Sequence, residues 1–190
     1  MALTTRGARR VPVQGTAPEA AETPTPTAGN AVARYAAAAA RLSLGWIFLW
    51  AFLDKTFGLG YATESKNAWI DGGSPTTGFL KFAATGPFKN VYNDIAGATW
   101  ADWLFMTGLL GIGIALTAGI TMRIAATTGS LLLILMWSAV LPPENNPFMD
   151  DHIVYAIVLV LLAALGAGKT LGLGTTWEKL PIVKRFPILK

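Results

Sequence analysis

The chain has 190 residues, of which 53% are hydrophobic and only 14% charged, and its mean hydropathy is +0.46. That composition excludes an ordinary soluble globule and points to the lipid bilayer as the first partner, with no nucleic acid expected. No cysteine and one histidine exclude disulfide frameworks, thiolate metal sites, iron–sulfur clusters and bis-histidine haem ligation on this chain.

Residues 1–30 are rich in Ala, Thr, Pro and Gly without apolar periodicity (TAPEAAETPTPTAGN), and a disordered cytoplasmic tail is expected there. The basic start MALTTRGARR leads into no apolar run, so a cleaved signal peptide is not expected. Four apolar segments follow: Arg34 to Leu53, Ala101 to Ile120, Ile124 to Leu141, and His152 to about Gly168. Each approaches the roughly 20 residues that cross a hydrocarbon core of about 30 Å. Backbone polar groups in lipid must be satisfied within the segment, which makes each a helix. The expected fold is all-α: an integral membrane antiparallel four-helix bundle over residues 31–168.

Charge sets the expected orientation. Arg6, Arg9, Arg10, Arg34, Arg41, Arg123, Lys169, Lys179, Lys184, Arg185 and Lys190 fall on one side. Lys55, Lys66, Lys81 and Lys89 fall on the other. This asymmetry places both termini in the cytoplasm. Most acids lie opposite, from Asp54 to Asp151, together with Trp46, Trp50, Trp100, Trp103 and Trp137 at the outer helix ends. Residues 54–100 form a long outer connection, too long to be structureless, so a compact cap is expected. Residues 169–190 alternate basic and apolar side chains and carry two prolines, as an interfacial segment on the cytoplasmic leaflet would.

Three features bear on chemistry. Arg41 lies within the first segment, flanked one turn to either side by Ala37 and Gly45. Small residues mark a face that meets other helices, so Arg41 is expected inside, bonded to hydroxyls, helix carbonyls or a ligand, instead of snorkelling to the head groups. In the second segment Gly111, Ala115 and Gly119 recur at four-residue spacing, a signal for close helix packing. The stretch NNPFMDDHIVYA puts Asp150, Asp151 and His152 directly before the fourth segment. Either aspartate suits a helix N-cap, and this reading alone explains both. No metal site is expected, because the spacing demands none. Antiparallel packing would bring His152 and Asp151 level with Asp54 and Lys55, among Trp50, Trp103, Trp137 and Tyr155. An acid–base group beside aromatics is what a quinone head group needs when it exchanges protons.

The chain resembles the DoxX/DoxD family of small four-helix membrane proteins. The resemblance rests on Arg41-x-x-x-Gly45 with Lys55 ten residues on, on Asn146-Pro147-Phe148…Asp151-His152, and on Gly166-Ala167-Gly168-Lys169…Leu171-Gly172-Leu173. It covers about residues 34–175. It implies a membrane subunit of an oxidoreductase system: the DoxD branch resembles part of thiosulfate:quinone oxidoreductases, and a mycobacterial branch is linked to a membrane complex for thiol and oxidative-stress defence. An acidic outer mouth would repel thiosulfate, a dianion, and only Lys55 offers a local counter-charge.

The functional expectation is a membrane subunit of a redox complex that binds quinone near the outer leaflet. His152 and Asp151 would handle protons, and Arg41, Trp50, Asp54, Lys55, Trp103, Trp137 and Tyr155 would line the site. Electrons would come from a protein partner or a small sulfur-type reductant. With no haem, flavin or iron–sulfur motif, catalysis by the chain alone is not expected. The alternative is a non-catalytic anchor or assembly factor, and a transporter is disfavoured because no helix is visibly broken and no repeat is evident. Reporter fusions test the orientation: a reporter within 54–100 should read external and one after Lys190 internal, and an opposite reading at either place overturns it.

Overall fold

A computed structural model describes residues 28–190, and the expected N-terminal tail lies almost wholly outside the described residues. The fold is all-helical, with no strand among the described residues. Four longer helices dominate: α1 (Ala28–Phe57), α3 (Thr99–Ala118), α4 (Met122–Ala139) and α5 (Asp151–Ala164). α2 (Lys89–Ile95) lies in the long connection, and α6 (Gly174–Trp177) and α7 (Pro181–Arg185) lie in the C-terminal segment. α1 pairs with α3 and α4 with α5, whereas α3 and α4 touch less closely and α1 barely reaches α5.

Three helices are long and apolar enough to cross a membrane: Asn30–Phe57, Thr99–Ala118 and Met122–Ala139. The fourth segment departs from expectation. Its helix stops after 14 residues, about 21 Å at 1.5 Å per residue. Hydropathy counts side chains and is blind to backbone. Gly166 turns left-handed at φ +62, and residues 167–169 form a 3-10 turn packed against α3's end.

The core is a contiguous apolar cluster between these helices, including Leu44 and Phe48 of α1, Met106 and Ile112 of α3, Leu133 of α4 and Leu159 of α5. The close approach of α1 to α3 runs through Gly45 and Gly113. A Cβ on Gly45 would stand 2.7 Å from the Thr117 hydroxyl, and one on Gly113 would stand 2.7 Å from Leu49 Cγ. The expected Gly111–Ala115–Gly119 packing stripe is corrected here. Gly111 faces open space with nothing within 4 Å, and Gly119 meets Gly168 instead.

The connection between α1 and α3 is compact, as its length requires. It contains two 3-10 turns (Ser65–Asn67 and Trp69–Asp71), a π-helical turn at Gly78–Ala83, a further 3-10 turn at Gly86–Phe88, and α2. Two fastenings hold it across the helix ends. Asp102, in α3's first turn, accepts from the Ser74 hydroxyl at 2.9 Å, the Thr76 hydroxyl at 2.6 Å and the Thr76 amide at 3.2 Å. At α4's other end the Thr85 amide donates to Ala139 O at 2.8 Å and the Tyr92 hydroxyl to Leu135 O at 3.0 Å.

These contacts separate two kinds of glycine. Gly113→Leu should destabilise the protein by about 2 kcal/mol, because side chains forced into a tight seam must shift. Gly111→Ala should be silent or slightly stabilising, since it adds a better helix former in open space. Thermal unfolding in detergent, followed by circular dichroism, reads both. Equal effects would mean that the α1–α3 seam is not where the helices meet.

Candidate functional site

Arg41 is 0% exposed, and its surroundings come from three elements. The helix α3 ends in a Schellman turn. Gly119 sits at φ +72 and its amide donates to Leu116 O, while the Ile120 amide donates to Ala115 O. That leaves the last-turn carbonyls short of partners. One guanidinium nitrogen of Arg41 donates to Leu116 O and, at 2.9 Å, to Thr117 O. The Leu173 amide takes Ala118 O at 2.8 Å. The other guanidinium nitrogen reaches Leu171 O at 2.8 Å and Thr170 O at 3.3 Å. Arg41 therefore ties α1 to the end of α3 and to the turn after α5. Helix carbonyls were among its expected partners, while Thr127, Thr128 and Ser130 satisfy other carbonyls.

The other end of α1 carries Asp54 and Lys55. Asp54 is 1% exposed; one carboxylate oxygen accepts the Tyr61 amide at 3.3 Å and the other has no partner. Lys55 lies with its ammonium 5.9 Å from the Phe105 ring centre. Trp50 stacks edge-on against Tyr61 at 5.0 Å, and Trp103 against Trp69 at 4.8 Å.

The third cluster opens α5. Asp150 is the N-cap, accepting the Ile153 amide at 3.2 Å. Its second oxygen lies 2.7 Å from His152 Nδ1, with Asp151 at 3.4 Å from the same nitrogen. Ligand atoms of Asp150, Asp151 and His152 all lie within 4.8 Å of one another, but capping and the histidine pair already account for Asp150 and His152. Trp137 donates to Phe148 O at 2.8 Å and fixes the entrance loop. Tyr155 packs against the core.

The expected convergence of His152 and Asp151 on Asp54 and Lys55 is corrected. Among the described residues no hydrogen bond or ion pair joins the two groups, and α5 barely touches α1. An antiparallel order of helices does not make α5 a neighbour of α1, because α5 packs on α4.

A larger concavity than any at these clusters lies between α3 and α4. A groove of about 990 Å³ runs between α3 and α4 from Trp100 to Thr121, roofed by Phe79, Phe88, Val91 and Tyr92 of the connection. Gly108 and Gly111 leave its floor bare, facing Leu131, Leu132 and Leu135. No charged residue lines it, and none of the nine expected site residues does. Four of its hydroxyls have internal partners: Tyr92 and Ser138 lie 2.6 Å apart, Thr107 bonds Trp103 O, and Thr128 bonds Ile124 O. The sequence carried one signal for it, glycines on α3 outside the α1 seam. Asp102 was also legible only as a charge, although the Ser74 and Thr76 hydroxyls that hold it are donors suited to a buried carboxylate.

Arg41→Leu should cost roughly 3 kcal/mol, because several buried carbonyls lose their donor at once. Arg41→Lys should recover less than half, since an ammonium cannot bridge carbonyls on two elements as a planar fork does. Chemical unfolding in detergent measures both, and a silent Arg41→Leu would return Arg41 to the head-group region.

No protein-family model, curated protein or solved structure matches this chain.

Proposed function

We propose that this chain is the quinone-holding membrane subunit of an oxidoreductase system, with the DoxX-like architecture that its motifs resemble. In this reading α1, α3, α4 and the shorter α5 are the four antiparallel members of one membrane bundle. Residues 54–100 are its outer cap, and both termini are cytoplasmic. The reading rests on one observation, the α3–α4 groove. It is long, apolar and free of charge, and the hydroxyls of Tyr92, on the cap, and Ser138, on α4, meet at its cap end. A quinone has that division: a flat head with two carbonyl acceptors and a long isoprenoid tail. The tail lies along Gly108 and Gly111, where no side chain competes for space, and the head lies at the cap end, where it takes a hydroxyl proton only by replacing a bond that Tyr92 or Ser138 makes to Leu135 O. Pockets of this kind, mostly apolar with few polar groups, are typical for small ligands. His152, Asp151, Asp54 and Lys55 then set the charge at the cap end without lining the groove. Electrons come from a partner protein or a small sulfur-type reductant, since the sequence offers no haem, flavin or iron–sulfur motif.

A second reading, a non-catalytic anchor whose partner's helix fills the same groove, is favoured by the absence of any charged side chain in its lining. Purification from native membranes followed by lipid extraction separates the two. Quinone at close to one equivalent, lost in Gly111→Trp while helix content persists, supports the first. A stoichiometric protein partner without quinone supports the second and overturns the first.

A further inference from the structure

Where α4 begins, the chain after α5 folds back and leaves a second cavity, of about 280 Å³. Thr121, Met122 and Arg123 form one wall, the α5 end and Gly166–Lys169 another, and Trp177, Glu178 and Lys190 the third. The Trp177 indole donates to Leu189 O at 2.6 Å, and the Arg123 amide donates to Lys190 O at 3.0 Å, so the C-terminal segment is fastened around the cavity. Arg123 uses one guanidinium nitrogen on Pro187 O at 3.2 Å. A guanidinium has five N–H donors, so most remain free.

The charge here is one-sided. Residues 169–190 carry Lys169, Lys179, Lys184, Arg185 and Lys190 against the one acid Glu178. Glu178 stands 2.9 Å from Lys169, which neutralises one cation and leaves Arg123 and the others in excess. Leading from this cavity along α5 runs an exposed apolar strip: Ile157, Val160, Leu161 and Leu165. A basic cavity at the end of apolar helices, continuous with an apolar face, is complementary to an amphiphile with an anionic head.

We infer that this cavity binds the phosphate head group of an anionic phospholipid. Arg123 and Lys169 meet the phosphate, and the acyl chains lie along α5. Arginine suits a phosphate because its planar fork offers paired donors, and basic residues at the end of a membrane helix favour anionic lipid. A quinone head is neutral and gains nothing here, so the site is independent of the α3–α4 groove and of the function proposed for it.

The test uses the full chain in detergent micelles doped with phosphatidylglycerol or phosphatidylcholine, with retained phospholipid counted by native mass spectrometry. Wild-type protein should retain phosphatidylglycerol over phosphatidylcholine by about fivefold, the factor for one basic residue near anionic lipid. The double variant Arg123→Gln with Lys169→Gln should lose that preference, Glu178→Gln should increase it by freeing Lys169, and Lys89→Gln at the cap end should leave it unchanged. Inorganic phosphate at millimolar concentration should not displace the lipid. Equal retention by wild type, a preference surviving in the double variant, or displacement by phosphate overturns the proposal. Should the double variant lose its helix content, Glu178→Gln decides alone, and no increase overturns it.

Discussion

The guanidinium of Arg41 is the junction on which this fold depends. It is a permanently charged group, 0% exposed, with no carboxylate beside it among the described residues. Carbonyl dipoles must therefore balance it. The end of α3 supplies Leu116 O and Thr117 O, where the helix concentrates negative partial charge. The turn after α5 supplies Thr170 O and Leu171 O. Withdrawal of either source would strand a charge in apolar surroundings, at a cost far above that of an exposed pair. The position of α1 on α3 and the path of the C-terminal segment are consequently fixed together.

That junction needs backbone at close range, which explains the glycines around it. A Cβ at Gly119 or at Gly172 would come within 3.1 Å of an Arg41 guanidinium nitrogen, and one at Gly168 would overlap Gly119 O. A different logic governs the rest of α3. The seam to α1 is tight at Gly113, and α4 is held to α5 by Leu159 against Gly129 and by the Ser130 hydroxyl on Ala156 O at 3.0 Å. Each helix pair has its own tight seam, while α3 and α4 meet at Ile112 and Gly129 and diverge along Gly108 and Gly111. The connection fastens at Asp102 on one helix and at Ala139 and Leu135 on the other. The groove lies between these fastened seams, under the connection.

Much of this was legible in the sequence. Arg41 stood out as a charge in an apolar run bracketed by small residues, and Asp150 as a cap before an apolar helix. The length of the fourth helix was not legible, because GAGK reads as mildly apolar while its backbone leaves the helix at Gly166. Nor could spacing tell a glycine that admits a neighbour from one that leaves a void. Gly111 and Gly113 are two residues apart and face opposite fates, decided by which helix lies across from each. His152 was misplaced for a related reason: the sequence suggested which helix ends share a level, but not which helices are lateral neighbours. Asp150, two residues away, satisfied it locally.

The division between residues that hold the fold and residues that shape the groove follows from these contacts. The Arg41 junction is made with backbone carbonyls, which every residue possesses, so the side chains at 116, 117, 170 and 171 can vary without breaking it. The groove depends on side chains being missing at Gly108 and Gly111 and on Leu131, Leu132 and Leu135 opposite. A substitution on that face changes the width of the groove while leaving both seams and the Arg41 junction intact. Groove width and stability are in this way set by different residues, the first by a few positions of α3 and α4 and the second by the seams beside them.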